Sequence, residues 1–227
     1  MTGSNAPNPW DGVFEREGRV FLHPHPDMEG LARTLRERGA ASVLDLGSGS
    51  GRHVVFLARH GFDVTGLDES PQGIALTRQA LAAEGLTAHL DAGNMLRGLP
   101  YPDETFDAVI SIQVIHHGTR AAIGGVIEEI TRVLKPGGLV FVTVAARRTQ
   151  GTQFREIEPD TLVPLDGKEA GLPHHYFTPD TLRAAFDGYD VERVYEDTTH
   201  HYGIVATRAT APTGIGTGTG TANGATA

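Results

Sequence analysis

The sequence predicts an α/β protein: a mostly parallel sheet with helices on both faces. Three observations carry that reading. Apolar runs of strand length alternate with helical periodicity from about residue 42 to 145. One run, Val43 to Leu46, breaks into a glycine turn and then a helix start. The last two runs, Tyr189 to Tyr195 and Tyr202 to Thr207, are joined by a short connection around Glu196 to His201. It is too short for a parallel crossover, so those two strands form an antiparallel pair.

The elements follow in order. Residues 1–9 read as loose. Trp10, Phe14, Phe21 and Leu22 are too aromatic for a free tail, so this segment either packs on the domain or covers its crevice as a lid. His23-Pro24-His25-Pro26 cannot be helical. Asp27 is placed to cap a helix carrying Met28, Leu31, Ala32 and Leu35, and Gly39 ends it. Strand one is expected at about 42–46 and its helix at 52–60. Strand two runs from Phe62 to Leu67 and ends in Asp68; Ser70-Pro71 opens the next helix. A short third strand is read at Thr87 to Leu90, and a loop over 91–105 carries Asn94 and Met95. Strand four is Phe106 to Gln113, a helix covers about 119–134, and Lys135 to Gly138 turn into strand five, Leu139 to Ala145. No periodicity holds from Arg147 to His175, a long excursion of the kind that is often functional. Thr178-Pro179-Asp180 starts a last helix through Phe186. Residues 209–227 are Gly, Thr and Ala repeats without charge and read as a disordered tail.

Composition narrows the function. A chain of 227 residues fits one domain with a sizeable core. A formal net charge of −9 and a pI near 5.6 argue against nonspecific binding to nucleic acid or anionic membrane. The chain has no cysteine, which excludes disulfides, iron–sulfur clusters and cysteine nucleophiles. No apolar run approaches the roughly 20 residues that span a bilayer. Met1 to Trp10 is polar and Pro-rich, unlike a signal peptide, so a cytoplasmic location is expected.

The stretch Val43-Leu44-Asp45-Leu46-Gly47-Ser48-Gly49-Ser50-Gly51-Arg52-His53 organises the rest. Its glycines let backbone turn tightly and approach a ligand, and the helix that follows points free N–H groups into the crevice. That is a nucleotide-cofactor loop. A dinucleotide loop wants a third glycine where Arg52 stands, and no Gly-Lys-Ser/Thr follows as a phosphate-binding Walker loop requires. Asp68, ending strand two, is either a ribose ligand or a turn residue. Asn94-Met95 could read an adenine edge, and strand four delivers Ile112 and Gln113 to the same crevice.

Five motifs in this order resemble the class I S-adenosylmethionine-dependent methyltransferases. They are Val43 to Gly51; Val64-Thr65-Gly66-Leu67-Asp68; Leu99 to Asp107; strand four; and Arg132-Val133-Leu134-Lys135-Pro136-Gly137-Gly138. The resemblance implies a Rossmann-like, three-layer fold with a seven-stranded, mostly parallel sheet and one antiparallel strand. It implies residues 40–208 as the methyltransferase domain, 1–39 as an N-terminal lid and helix segment, and 147–177 as a substrate-side insertion. It implies S-adenosyl-L-methionine as cofactor and S-adenosyl-L-homocysteine as product. Asp45 and the Gly47, Ser48, Gly49 and Gly51 backbone would hold the methionine part. Asp68, with Glu69 beside it, would take the ribose hydroxyls. Asn94 and the Met95 backbone would read adenine, and Gln113 would lie near the methionine amine and sulfonium.

Methyl transfer from a sulfonium needs alignment more than acid–base help; a base matters only if the nucleophile carries a proton at neutral pH. The family's Asn/Asp-Pro-Pro-Tyr signature for planar amino groups is replaced after strand four by Ser111-Ile112-Gln113-Val114-Ile115-His116-His117. This departs from nucleic-acid amino methylation, and the compact size suits a small-molecule O, N, S or C nucleophile. The runners-up are a nicotinamide-dependent oxidoreductase and a non-catalytic cofactor-binding module. Three histidine pairs stand out: His116-His117, His174-His175 and His200-His201. They read as surface or capping residues, or as substrate ligands and a general base. Neighbours on a strand face opposite ways, so one of each extended pair need point inward. No short ligand spacing such as H-x-x-x-H appears, so no metal site is assigned, although the pairs could converge in space. His116, His117, His174, His175 and Tyr176 are the catalytic candidates.

Overall fold

The computed structural model describes residues 9–146 and 153–210. Helix α1 spans Pro9–Glu17 and α2 Met28–Glu37. Then come β1 (Ser42–Leu46), α3 (Arg52–Arg59), β2 (Asp63–Asp68), α4 (Pro71–Ala83), β3 (His89–Ala92) and a single 3₁₀ turn at Met95–Arg97. Strand β4 (Phe106–Ile112), α5 (Arg120–Val133) and β5 (Leu134–Ala145) follow. After them stand β6 (Phe154–Glu158), β7 (Thr161–Pro164), β8 (His174–His175), α6 (Pro179–Ala185), β9 (Tyr189–Glu196) and β10 (His201–Arg208).

Seven strands form one sheet in the order β3-β2-β1-β4-β5-β10-β9. Strands β1 to β5 pair in parallel; β10 lies antiparallel to both β5 and β9. Alternation along the central strands splits the core in two. Leu44, Val109, Val140 and Val142 pack toward α5 and α6. Val43, Ala108, Ile110 and Phe141 pack toward α2 and α3. Both faces are covered, which is why these strands read as nearly continuous apolar runs. The order reverses between β1 and β4, and that switch point opens a crevice beyond the strands' C-terminal ends.

Helix starts follow local chemistry. Ser70 Oγ accepts from Gly73 N at 3.0 Å with Pro71 at the first helical position. Thr178 and Thr181 cap α6 reciprocally. Asp27 does not cap α2; its carboxylate instead accepts from the Tyr195 hydroxyl at 2.6 Å. Strand β3 starts two residues later than expected, at His89. The turn 135–138 bulges from one continuous β5, with Phe106 paired to Leu134 and Ala108 to Leu139. The excursion after β5 is not without regular structure: β6, β7 and β8 form a separate antiparallel sheet. Residues 1–8, 147–152 and 211–227, with the loose N-terminus and the expected disordered tail, lie outside the described residues. No helix among the described residues is long and apolar enough to cross a membrane.

Candidate functional site

The glycine loop turns between β1 and α3 with φ +80° at Gly47, +54° at Gly49 and +83° at Gly51. A Cβ at Gly47 would meet Val114 Cγ1 at 2.4 Å, and one at Gly51 would meet Thr77 Cγ2 at 2.4 Å. Glycine is therefore required twice over at both positions, by conformation and by space. The end of β2 holds the loop in place. The Leu67 carbonyl accepts from Gly47 N (2.8 Å) and Ser48 N (3.0 Å). Asp68 Oδ2 accepts from Gly49 N at 2.7 Å and Oδ1 from Ser70 N at 2.8 Å. Burial pushes the Asp68 carboxyl up, against the pull of those two N–H groups.

A cavity of about 780 Å³ stands above this loop. Gly47, Ser48, Gly49, Asp68, Glu69, Asn94, Met95 and Gln113 all line it. Asn94 is held between its neighbours: Nδ2 donates to Glu69 Oε1 at 2.8 Å, and Oδ1 accepts from Leu96 N at 2.7 Å. Gln113 takes a left-handed φ of +65°, uncommon outside glycine, which aims its amide across the cavity. Its Oε1 accepts from Arg52 Nη2 at 3.1 Å and its Nε2 donates to Thr199 Oγ1 at 3.2 Å.

Asp45 and Gly51 do not reach the cavity wall. Asp45 is buried behind the loop with neither carboxylate oxygen hydrogen-bonded, and burial, opposed by Arg52, pushes its carboxyl up to about 7. Ser48 Oγ is likewise buried and unpartnered. Of the two residues only Ser48 lines the cavity, and its orphaned hydroxyl beside the open glycine cradle fits a ligand with a polar tail.

The N-terminal segment borders the cavity. Trp10, Phe14 and Phe21 line the cavity, and the Arg52 guanidinium lies 5.3 Å from the Phe21 ring centre. Arg19 Nε donates to the Ser50 carbonyl at 3.2 Å, and Ser50 Oγ to the Val20 carbonyl at 3.1 Å. Helix α1 itself was not legible as a helix. A further buried chain of contacts joins this segment to the β9–β10 turn. His53 Nε2 accepts from His25 N at 3.2 Å, and His25 Nε2 donates to Asp197 Oδ2 at 3.0 Å. The His25-Pro26 tract signalled irregular backbone and nothing of this pairing.

The histidine pairs divide. His116 and His117 sit on a turn after β4, not on the strand, so both face the cavity. Their ring centres are 4.2 Å apart. His174 and Tyr176 join them, and His117 and His174 meet edge to face at 4.7 Å. His175, one strand position on, faces away as alternation requires: Nδ1 pairs with Thr161 Oγ1 at 2.8 Å and the ring packs on Phe177. It is not a cavity residue. His200 and His201 also line the cavity. Burial pushes His117 down to about 4 and His116 well below the ordinary imidazole value, so both are neutral at pH 7. Glu169, which sequence reasoning passed over, lies against His174 and His117; the hydrogen bond from His174 is the main reason its carboxyl is held low. A lone glutamate in an aperiodic tract gave no signal.

Residues 43–138 match a family model described as a methyltransferase domain. This stretch of the chain is a methyltransferase domain. S-adenosylmethionine is the cofactor of this family, and the glycine loop, Asp68 and the Asn94-Met95 turn of the matched stretch line the cavity. The chain is 36% identical over 133 residues to a demethylmenaquinone methyltransferase of Tropheryma whipplei, covering 57% of this chain and 53% of that protein. It is 34% identical over 207 residues to a glycine/sarcosine/dimethylglycine N-methyltransferase of Actinopolyspora halophila, covering 86% of this chain and 35% of the relative. The methyltransferase domain thus spans about half the length, or less, of these curated relatives. Its fold is that of an S-adenosylmethionine-dependent methyltransferase from Methanosarcina mazei, with a TM-score of 0.65 at 22% identity over 83% of this chain and 99% of that one.

Proposed function

We propose that this chain transfers the methyl group of S-adenosylmethionine to a small-molecule nucleophile by in-line displacement. One observation carries the reading: the glycine loop, Asp68, the Asn94-Met95 turn, Gln113 and a wall of histidines all face one cavity of about 780 Å³. That size suits two ligands side by side, within the roughly 300–1,000 Å³ common for small-molecule sites. The bound cofactor supplies an electrophilic methyl group on a good leaving thioether. The chain supplies alignment and exclusion of water. Asp68 accepts the ribose hydroxyls, Asn94 and Met95 flank the base, and Gln113 and the glycine loop border the methionine portion. Trp10, Phe14 and Phe21 keep water out. His116, His117, His174 and Tyr176 orient the acceptor. The acidic net charge supports a small molecule over nucleic acid.

Calorimetric titration with S-adenosylmethionine, S-adenosylhomocysteine and NAD tests the cofactor; binding of NAD alone would overturn the reading. Transfer of labelled methyl to a component of a metabolite extract tests the reaction. Cofactor binding without transfer would make the chain a non-catalytic binding module.

A further inference from the structure

The histidine wall has one buried polar atom that no described protein group satisfies. His116 Nδ1 is buried without a hydrogen-bond partner. His174 Nδ1 faces the Leu172 carbonyl oxygen at 2.8 Å. A carbonyl only accepts, so Nδ1 carries a proton, which leaves Nε2 to face the cavity wall. Nε2 of the same ring lies 3.1 Å from Glu169 Oε2. The second oxygen of the same carboxylate stands 3.7 Å from His117 Nε2. Imidazole nitrogens converging on one carboxylate in a buried wall mark the place of a cation, held as a proton when no metal is bound.

The spacing says which kind. Ligand atoms of His116, His117 and His174 all lie within 4.8 Å of one another. A four-coordinate ion with bonds of about 2.1 Å holds its ligands about 3.4 Å apart. The two Glu169 separations, 3.1 and 3.7 Å, already bracket that distance. The imidazoles need close by only on the order of 1 Å to complete the set. The Leu172 carbonyl on His174 Nδ1 is the outer partner that ligating imidazoles ordinarily have, fixing tautomer and ring plane.

We infer that His116, His117, His174 and Glu169 form a site for one divalent first-row transition metal in the cavity wall. Three imidazoles and one carboxylate suit zinc, iron, cobalt or nickel and do not suit magnesium or calcium, which take oxygen ligands. The sequence holds no short ligand spacing; a turn after β4 and the insertion sheet bring the ligands together. Resting on the methyl-transfer reading, the ion faces the acceptor's space and takes a lone pair of its oxygen, nitrogen or sulfur as an added ligand.

The test uses the full chain stripped with a chelator and titrated with Zn²⁺ against a chromophoric competitor, then with Co²⁺ followed by visible absorption. One equivalent of zinc should bind at about 1 µM or tighter. Cobalt should give the d–d bands of a four- or five-coordinate nitrogen–oxygen site. His116→Ala, His174→Ala and Glu169→Gln should each weaken zinc binding, the histidine variants by at least about 100-fold. His23→Ala, an exposed histidine outside the cavity, should leave it unchanged. Thermal melting and S-adenosylmethionine affinity, measured without metal, report whether each variant is folded; Glu169→Gln decides if a histidine variant is not. Zinc uptake unaffected by these changes overturns the site, as does no zinc uptake together with an imidazolium at His174 in nitrogen-15 spectra. Zinc bound without cofactor binding keeps the site and removes the methyl-transfer reading; cofactor bound without zinc does the reverse.

Discussion

Replacing Gly51 by alanine should destabilise the protein more than replacing Gly61, although both glycines hold φ +83°. The left-handed backbone costs either alanine about 1–2 kcal/mol. At Gly61 nothing lies within 4 Å of the added Cβ, so that cost stands alone. At Gly51 the Cβ would meet Thr77 Cγ2 at 2.4 Å, Oγ1 at 2.5 Å and Cβ at 2.8 Å. Thr77 cannot swing aside freely, because it is fully buried and its hydroxyl donates to the Gly73 carbonyl at 3.0 Å. Forcing the fit adds about 1–3 kcal/mol of overpacking. Gly51→Ala should therefore cost about 2–5 kcal/mol in all. A domain of ordinary stability, about 5–15 kcal/mol, would still fold at 25 °C for measurement. Urea unfolding with unchanged m gives both differences directly. Equal losses within about 0.5 kcal/mol would refute the steric argument, since the two sites share a backbone conformation and differ only in surroundings. Cofactor affinity should fall in Gly51→Ala alone.

Asp68→Ala should weaken S-adenosylmethionine binding by about 1.5–3 kcal/mol through lost charge-assisted hydrogen bonds; unchanged affinity by calorimetry would remove Asp68 from the ribose. Asp45 keeps its proton to about pH 7 when folded and releases it near 3.8 when unfolded. The native state therefore binds the extra proton between these values, and stability from this group falls as pH rises from about 4 through 7. Asp45→Asn should gain stability relative to the parent between pH 5 and pH 8 in urea melts, and a pH-independent difference would show an ionised Asp45 in the fold. His174→Ala should lower turnover more than stability, whereas His175→Ala, which loses its bond to Thr161 and its contact with Phe177, should lower the melting temperature and spare kcat; equal kcat losses would contradict the division.

The central strands were legible because burial on both faces leaves runs such as Val43 to Leu46 and Ala108 to Ile112, apolar but for Asp45 and Ser111. The helix caps at Ser70 and Thr178 were legible because a local hydroxyl does the work. Asp27 misled for the opposite reason: a hydroxyl 168 residues away, on Tyr195, outcompetes the local N–H groups for its carboxylate. Strand β3 slipped by two residues because it is an edge strand with no buried residue to fix its register. The insertion sheet stayed hidden because Phe154–Glu158 is half-exposed and largely charged, and β8 is two residues long. Within the site, each cofactor station sits at a strand end and could be counted along the chain. The histidine–glutamate cluster could not, since His117 and Glu169 meet only through tertiary packing.

The buried His25–Asp197 bond spans 172 residues of sequence. It lies between the segment leading into the sheet and the turn joining the last two strands. Closing so long a loop is entropically slow, and the contact has no surface to form on until β10 has entered between β5 and β9. The cavity's roof is thus expected to close after the sheet is built. Trp10, the single tryptophan, stands in that roof. Its fluorescence should reach the native value after far-UV circular dichroism does during refolding, and added S-adenosylmethionine should slow the roof's release more than the sheet's unravelling. Coincident kinetics by both probes would mean that roof and sheet form in one step.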